Sequence, residues 1–282
     1  MSYIKTRDGV QLYVKDWGTG RPVVMTHGWP LSSDTFDDLS AAIASSGMRA
    51  IAYDRRGFGR SEQPWDGYDY DTFADDLATV LEATGAEDAT LVGFSMGGGE
   101  VARYLSRYDD HAISGAVLIA SIVPFMLKTP DNPNGVDSSI FDGMAQALRE
   151  DRAKFWTSFF KDFYGVGYIS APVSDEILHW SSTLAMQAGL QATLASANAF
   201  ATTDFRQDLA AFTVPTLIIH GTDDKTVPID TAARRAAKGI PGSTLIEYEG
   251  GPHGLFASHK TRLAEDVLKF VSARVLEGAR HT

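Results

Sequence analysis

Ala89-Thr90-Leu91-Val92-Gly93-Phe94-Ser95-Met96-Gly97-Gly98-Gly99-Glu100-Val101-Ala102 is the stretch on which the fold turns. Residues 89–92 form an apolar run of the kind that fills a buried parallel strand, and residues 98–105 have the pattern of a helix. Between them stands one serine with a glycine two positions before it and another two positions after. A serine at a strand-to-helix turn in that setting describes a nucleophile elbow. The glycines have a steric task, because the serine backbone is strained there and the flanking chains come too close for side chains.

Outward from this stretch, strands and helices alternate. Toward the N-terminus the sequence predicts a hairpin over 3–5 and 10–15 around Asp8-Gly9, and a strand over 22–26 that ends at His27-Gly28-Trp29-Pro30. A helix over 35–43, a strand over 48–53 and a helix over 72–81 follow. Beyond the elbow, residues 115–120 read as another apolar strand. The pattern then changes: residues 123–203 hold only helical stretches, at 140–148, 153–160, 175–186 and 190–199. The sheet resumes at 214–219, followed by a helix over 231–238, a strand over 244–248 and a final helix over 260–276. Strands that are apolar throughout, separated by helices, predict an α/β fold with a mostly parallel central sheet and helices on both faces. The expected organisation is a core of residues 1–122 and 204–282 with an inserted helical cap at 123–203. Some of the cap rings (Phe155, Trp156, Phe159, Phe160, Phe163, Tyr164) are expected to roof a pocket.

Composition excludes several chemistries. The formal net charge of −11 argues against nucleic-acid or anionic-membrane binding, which need a basic face. With no cysteine, disulfides, thiolate metal sites and a cysteine nucleophile are ruled out. There is no phosphate-binding Gly-x4-Gly-Lys loop and no His-x3-His pair for zinc, so neither a metal nor a cofactor is expected. No apolar segment has the length of a membrane span or signal peptide, and the expected location is cytoplasmic.

Ligands of such sheets bind outside the carboxyl ends of the strands. Four predicted strand ends carry reactive groups: His27-Gly28-Trp29, Ser95, Asp223-Asp224 and His253. A serine hydroxyl needs a base to become a nucleophile, and imidazole both takes and returns the proton. A carboxylate then fixes the imidazole tautomer. His253, in the glycine-flanked loop after the last strand, is the expected base, because this chain order runs Ser, Asp, His. His27 and His220 read as structural, and His111, His179, His259 and His281 as surface residues. Asp223 and Asp224 are adjacent, and only one can face the imidazole. The backbone N–H groups of Met96 and Trp29 are the candidate oxyanion donors; Pro30 has no N–H to give.

The segments 27–30, 53–61, 93–99, 204–206, 220–228 and 250–255 together resemble the α/β-hydrolase family. Within it they are similar to the cofactor-free haloperoxidases (non-heme chloroperoxidases), aryl esterases and γ-lactamases. The resemblance covers almost the whole chain and implies an α/β-hydrolase fold. In that family the acid follows Gly-x-x-Asp, which favours Asp224 over Asp223. It implies hydrolysis of a small ester, lactone or lactam through an acyl-enzyme on Ser95. Members with Trp-Pro after His-Gly also make a peracid from a short carboxylic acid and hydrogen peroxide, and the peracid oxidises halide. Pro30 would favour this by moving a loop carbonyl toward the pocket. Phe94-Ser95-Met96 resembles the lactamase and bromoperoxidase branch more than the His-Ser-Thr of many haloperoxidases. Trp29, Pro30, Phe94 and Phe125 are the expected pocket lining. Relatives are often trimers or larger, which leaves a homo-oligomer open.

A serine at the elbow argues against dehalogenase or epoxide hydrolase chemistry, which relies on aspartate there. Two alternatives stay open: a γ-lactamase or amidase, and a ligand-binding protein or receptor that keeps the triad with little turnover.

Overall fold

The computed structural model describes residues 2–108, 113–167 and 170–278; His111 and His281 lie outside them. One sheet of eight strands organises the chain: β1 (Ser2–Lys5), β2 (Gln11–Gly18), β3 (Pro22–Thr26), β4 (Arg49–Tyr53), β5 (Ala89–Phe94), β6 (Ile113–Ile119), β7 (Thr216–Gly221) and β8 (Thr244–Tyr248). Their spatial order is β1-β2-β4-β3-β5-β6-β7-β8. β2 runs antiparallel to its neighbours β1 and β4, whereas β4-β3-β5-β6-β7-β8 are all parallel. Every residue of β3, β5 and β7 is buried, as expected for strands covered on both faces.

The connections carry the helices. α1 (Asp37–Ser45) links β3 to β4, α2 (Tyr70–Thr84) links β4 to β5, and α3 (Met96–Arg107) links β5 to β6. α2 begins where Asp69 accepts the Thr72 N–H at 2.9 Å and ends at Gly85 with φ of 59°, a left-handed cap that glycine adopts without strain. α7 (Ala233–Gly239) joins β7 to β8, and α8 (Leu255–Ser258) and α9 (Lys260–Gly278) close the chain. No described helix is long and apolar enough to cross a membrane.

Between β6 and β7 lie α4 (Ser138–Phe163), α5 (Asp175–Gln187) and α6 (Leu190–Thr202). α4 covers both helices that the sequence predicts at 140–148 and 153–160. The two remain distinct in the backbone, because Asp151 departs from helical geometry (φ −156°, ψ 88°). Its carboxylate accepts the Lys154 N–H at 2.9 Å and so starts the second segment. That segment buries Trp156, Phe160 and Phe163, each fully, and a buried ring of this size contributes about 1.5–3 kcal/mol of transfer free energy.

The topology places a crevice above the sheet. From β3 the chain moves out to β4 and then returns to β5 on the other side of β3. The loops after β3 and β5 therefore diverge from adjacent strand ends, which is where ligands settle in open α/β sheets.

Candidate active site

Ser95 sits at the end of β5 with φ of 54° and ψ of −117°, a conformation that side chains other than glycine rarely adopt. The surroundings hold it there. Its N–H donates to the Ile119 carbonyl at 2.9 Å, and its carbonyl accepts from Gly98 N–H at 3.0 Å. A Cβ on Gly93 would stand 2.6 Å from the Gly97 carbonyl oxygen, and one on Gly97 would overlap the Thr26 backbone. Both glycines are thus required by close chain approach, as the spacing predicts.

His253 arrives from the loop between β8 and α8. The Gly254 N–H donates to the Phe163 carbonyl at 2.9 Å, which ties this loop to the end of α4. The imidazole packs between the rings of Phe163 and Phe94, with centroids 4.8 and 5.2 Å away. Its Nδ1 is 2.6 Å from Asp224 Oδ2 and its Nε2 is 2.9 Å from Ser95 Oγ. A carboxylate only accepts, so Nδ1 carries the proton and Nε2 turns its lone pair to the serine hydroxyl.

Asp224 follows β7, and its Oδ1 accepts the N–H groups of Thr226 at 2.9 Å and Val227 at 2.7 Å. Asp223 points outward and is exposed, while its N–H donates to the Gly251 carbonyl at 3.0 Å. Of the two adjacent acids, the structure brings Asp224 to the imidazole. Burial alone would raise the Asp224 carboxyl. Electrostatic attraction to His253 and the N–H groups that His220 and His253 turn toward it outweigh burial and hold it well below the usual carboxylate range.

The two expected oxyanion donors lie on elements that reach the site, since Met96 follows Ser95 in the chain and Trp29 lines the same cavity as Ser95. Met96 is the first residue of α3, so its N–H has no partner within the helix and points along the positive end of the helix axis. Trp29 lies on the loop after β3, where the Gly28 carbonyl accepts the Leu31 N–H at 2.9 Å. His27 braces this loop and is no part of the serine's hydrogen-bond chain. Its Nε2 accepts the Arg55 N–H at 2.9 Å and its Nδ1–H donates to the Gly28 carbonyl at 3.0 Å. Burial, with the Arg55 charge, pushes the imidazole down to about 3, so it stays neutral.

Behind the loop, Arg55 Nη2 donates to the His27 carbonyl at 2.9 Å and Arg55 Nε donates to Glu100 Oε2 at 2.8 Å. Glu100 belongs to α3, and both side chains are fully buried. This ion pair couples the helix that starts at the elbow to the loop carrying Trp29. The sequence holds no local signal for it, since the partners are 45 residues apart.

Ser95 opens on a cavity of about 360 Å³. Trp29, Phe141, Phe155, Phe159 and Phe200 give it aromatic walls, and Asp162, Lys225 and Thr226 add polar groups. The Trp29 ring meets Phe159 and Phe200 edge-on, each at 5.5 Å. Its indole N–H donates to the Thr193 carbonyl at 3.0 Å. Of the four residues expected to line the pocket, only Trp29 does so. Phe94 points beneath the catalytic loop into a fully buried cluster with Phe163 and Phe256. Phe125 lies under the Arg206 guanidinium, 5.2 Å from the ring centroid. Pro30 is buried outside the cavity wall, in a cis peptide bond with Trp29. Nearness to the loops does not suffice to line the cavity; the direction of each side chain decides it.

Among the other histidines, His179 is exposed on α5 and His259 bonds Ser258 Oγ at 2.9 Å. His220 is buried, as expected of a strand end, but it also stands 3.2 Å from Asp224 Oδ2. Among the described residues no group of three or more His, Asp or Glu side chains is placed to hold a metal ion. The arrangement has what acyl transfer needs: a hydroxyl, a neutral imidazole facing it, a carboxylate behind the imidazole, and N–H donors at a helix start.

The sequence model of the family described as alpha/beta hydrolase fold matches residues 21–260. A non-heme chloroperoxidase from Kitasatospora aureofaciens is 41% identical over 96% of this chain and 100% of its own length. A bifunctional esterase/perhydrolase from Acinetobacter calcoaceticus is 40% identical over 96% of this chain and 99% of its own. Among solved structures, a bromoperoxidase from Bacillus anthracis superposes with a TM-score of 0.93 at 41% identity, covering 96% of this chain and 99% of that one.

Proposed function

The chain belongs to the alpha/beta hydrolase family, and on that footing we propose that it is a serine hydrolase of small carboxylic esters or lactones that also forms peracids. The observation that carries this reading is the unbroken hydrogen-bond chain from Ser95 through His253 to Asp224, at the floor of an apolar cavity. In the proposed reaction Ser95 Oγ attacks the acyl carbonyl while His253 Nε2 takes the hydroxyl proton. The N–H groups of Met96 and Trp29 receive the developing oxyanion. His253 then returns the proton to the departing alcohol, which leaves an ester on Ser95. Water, giving up its proton to His253, attacks that ester and releases the acid.

Peracid formation uses the same intermediate with hydrogen peroxide in place of water. A short carboxylic acid acylates Ser95 with loss of water, and peroxide then attacks to release the peracid. The names of the two relatives support this extension, since one is a chloroperoxidase and the other a perhydrolase. The helices of residues 123–203 act in this reading as the cap that selects the acyl group. A cytoplasmic setting and a homo-oligomeric assembly, both expected from the sequence, belong to the same proposal.

The test is a panel of p-nitrophenyl esters, lactones, lactams and acetate plus peroxide, run on wild type and Ser95→Ala together. Release of product by wild type alone supports the reading. Equal rates in the two proteins reject it.

A further inference from the structure

Asp224 is the acid of the proposed triad, and four N–H groups surround its carboxylate, three of them hydrogen-bonded to it. Oδ1 accepts the N–H groups of Thr226 and Val227, and Oδ2 accepts His253 Nδ1 at 2.6 Å and faces His220 Nε2 at 3.2 Å. A carboxylate offers about four lone-pair sites, so one is left, and His220 Nε2 is the group that faces it. The imidazole of His220 is oriented by a second acceptor, the Val227 carbonyl, 2.8 Å from the same Nε2. A carbonyl only accepts, so Nε2 carries the proton, donates it to Val227 O and turns its positive N–H toward Asp224 Oδ2 at 3.2 Å. Nδ1 is then a bare lone pair, and among the described residues it has no partner although it is fully buried. A buried polar atom without a partner is a cost that a leucine or methionine at this strand end would avoid. Its retention here points to work done by the other nitrogen.

We propose that His220 is a positioning residue: through Nε2 it holds Asp224 Oδ2 in place and restrains how strongly that carboxylate attracts the proton of His253. This rests on the reading of Ser95, His253 and Asp224 as the catalytic centre. The physical logic is that each N–H given to a carboxylate disperses its negative charge. With His220 present, less charge remains on Oδ2 to stabilise a positively charged His253. The base then sheds its proton at a lower pH and is free to act on Ser95 over a wider range. The charged and titratable groups facing His220 are few. Asp224 and His253 lie on the loops above it, and Glu247 is its register partner on β8, already paired with Arg234 at 2.8 Å. Lys225, next along the chain from Asp224, is exposed at the cavity.

Three variants separate this role from simple packing. His220→Leu removes the donor and keeps the volume. His220→Gln places an amide N–H near the position of Nε2, and His220→Asn reaches only as far as Nδ1. Hydrolysis of p-nitrophenyl acetate by each variant is followed from acid to alkaline pH. For His220→Leu the expected result is a kcat about tenfold lower with KM nearly unchanged, the lower end of what losing an orienting partner costs. Its acid limb of kcat/KM is expected to move up by about half a pH unit or more. His220→Gln returns the limb toward wild type, and His220→Asn follows His220→Leu. An acid limb that stays in place in both His220→Leu and His220→Asn overturns the proposal, and so does a His220→Gln limb that matches theirs. If His220→Leu does not fold, the Gln and Asn pair decides by the same comparison, alongside the low-field proton resonance of His253 Nδ1–H. That resonance is expected to shift in Asn and not in Gln. Ser95→Ala, run in parallel, keeps the two readings apart: activity in that variant sinks the catalytic centre itself. Loss of activity there with unmoved limbs in the His220 variants sinks only the role of His220.

Discussion

His253 Nε2 stands 2.9 Å from Ser95 Oγ although 158 residues separate the two in sequence, and neither side chain is more than slightly exposed. The sheet brings them together. Ser95 follows β5, and His253 follows β8 three strands away, on a loop that α4 draws inward through the Phe163 carbonyl. With Asp224 behind the imidazole, the three buried groups form one proton path that ends at the cavity.

The choice between the adjacent acids gives the first prediction. Asp224→Asn offers the imidazole an amide in place of a carboxylate and favours the wrong tautomer, so kcat is expected to fall by about three to four orders of magnitude. Asp223→Asn changes an exposed side chain and should stay within about twofold of wild type. Steady-state hydrolysis of p-nitrophenyl acetate by both proteins checks this, and a larger loss in Asp223→Asn would assign the acid to the wrong residue.

Phe159 and Phe94 should answer oppositely to truncation. Phe159 walls the cavity, and Phe159→Ala is expected to raise kcat/KM for long or branched acyl esters relative to acetate. Phe94 lies under the loop in the fully buried cluster, and Phe94→Ala is expected to cost about 3–5 kcal/mol of stability. Denaturant unfolding combined with a series of acyl chain lengths distinguishes the two. A selectivity change confined to Phe94→Ala would mean that the cavity wall has been misassigned.

Much of this was legible in the sequence, for identifiable reasons. Strands buried on both faces are apolar throughout, so the parallel sheet showed itself, and the glycines around Ser95 marked a close chain approach. The single α4 was less visible, because its break at Asp151 resembles an ordinary helix end in sequence. Side-chain direction was harder still. Phe94 is adjacent to the serine in sequence, yet its ring packs against Phe163, Phe256 and the His253 imidazole and not on the cavity wall. The pairing of Arg55 with Glu100 depends on strand order and leaves no local trace, whereas His220 and Asp224 stand four residues apart and meet through the turn of the loop after β7.

The resemblance to the haloperoxidases implies that Pro30 favours peracid formation. Pro30→Leu is expected to lower the rate of peracid formation relative to ester hydrolysis, measured by halide-dependent dye oxidation against p-nitrophenol release. An unchanged ratio would remove Pro30 as its determinant.

His27 makes stability depend on pH in a defined window. Its folded pKa is pushed down to about 3 from an ordinary value of 6.5. Between those values the unfolded chain binds a proton that the folded protein refuses, so stability falls as pH falls. From about pH 6.5 to about pH 4.5 this one group should cost about 2 kcal/mol. His27→Gln cannot titrate, and its unfolding free energy should vary less over the same window by that amount. Parallel urea curves in the two proteins would count against a neutral, buried His27.

The most direct test is whether an acyl group passes through Ser95. Wild-type protein is mixed with excess p-nitrophenyl acetate and quenched in acid within the first turnovers, and the peptides are then analysed by mass spectrometry. One acetyl group is expected on the Ser95 hydroxyl in wild type and none in Ser95→Ala. Turnover in wild type with no acetyl group on Ser95, or acetylation at another residue that persists with full activity in Ser95→Ala, would contradict it.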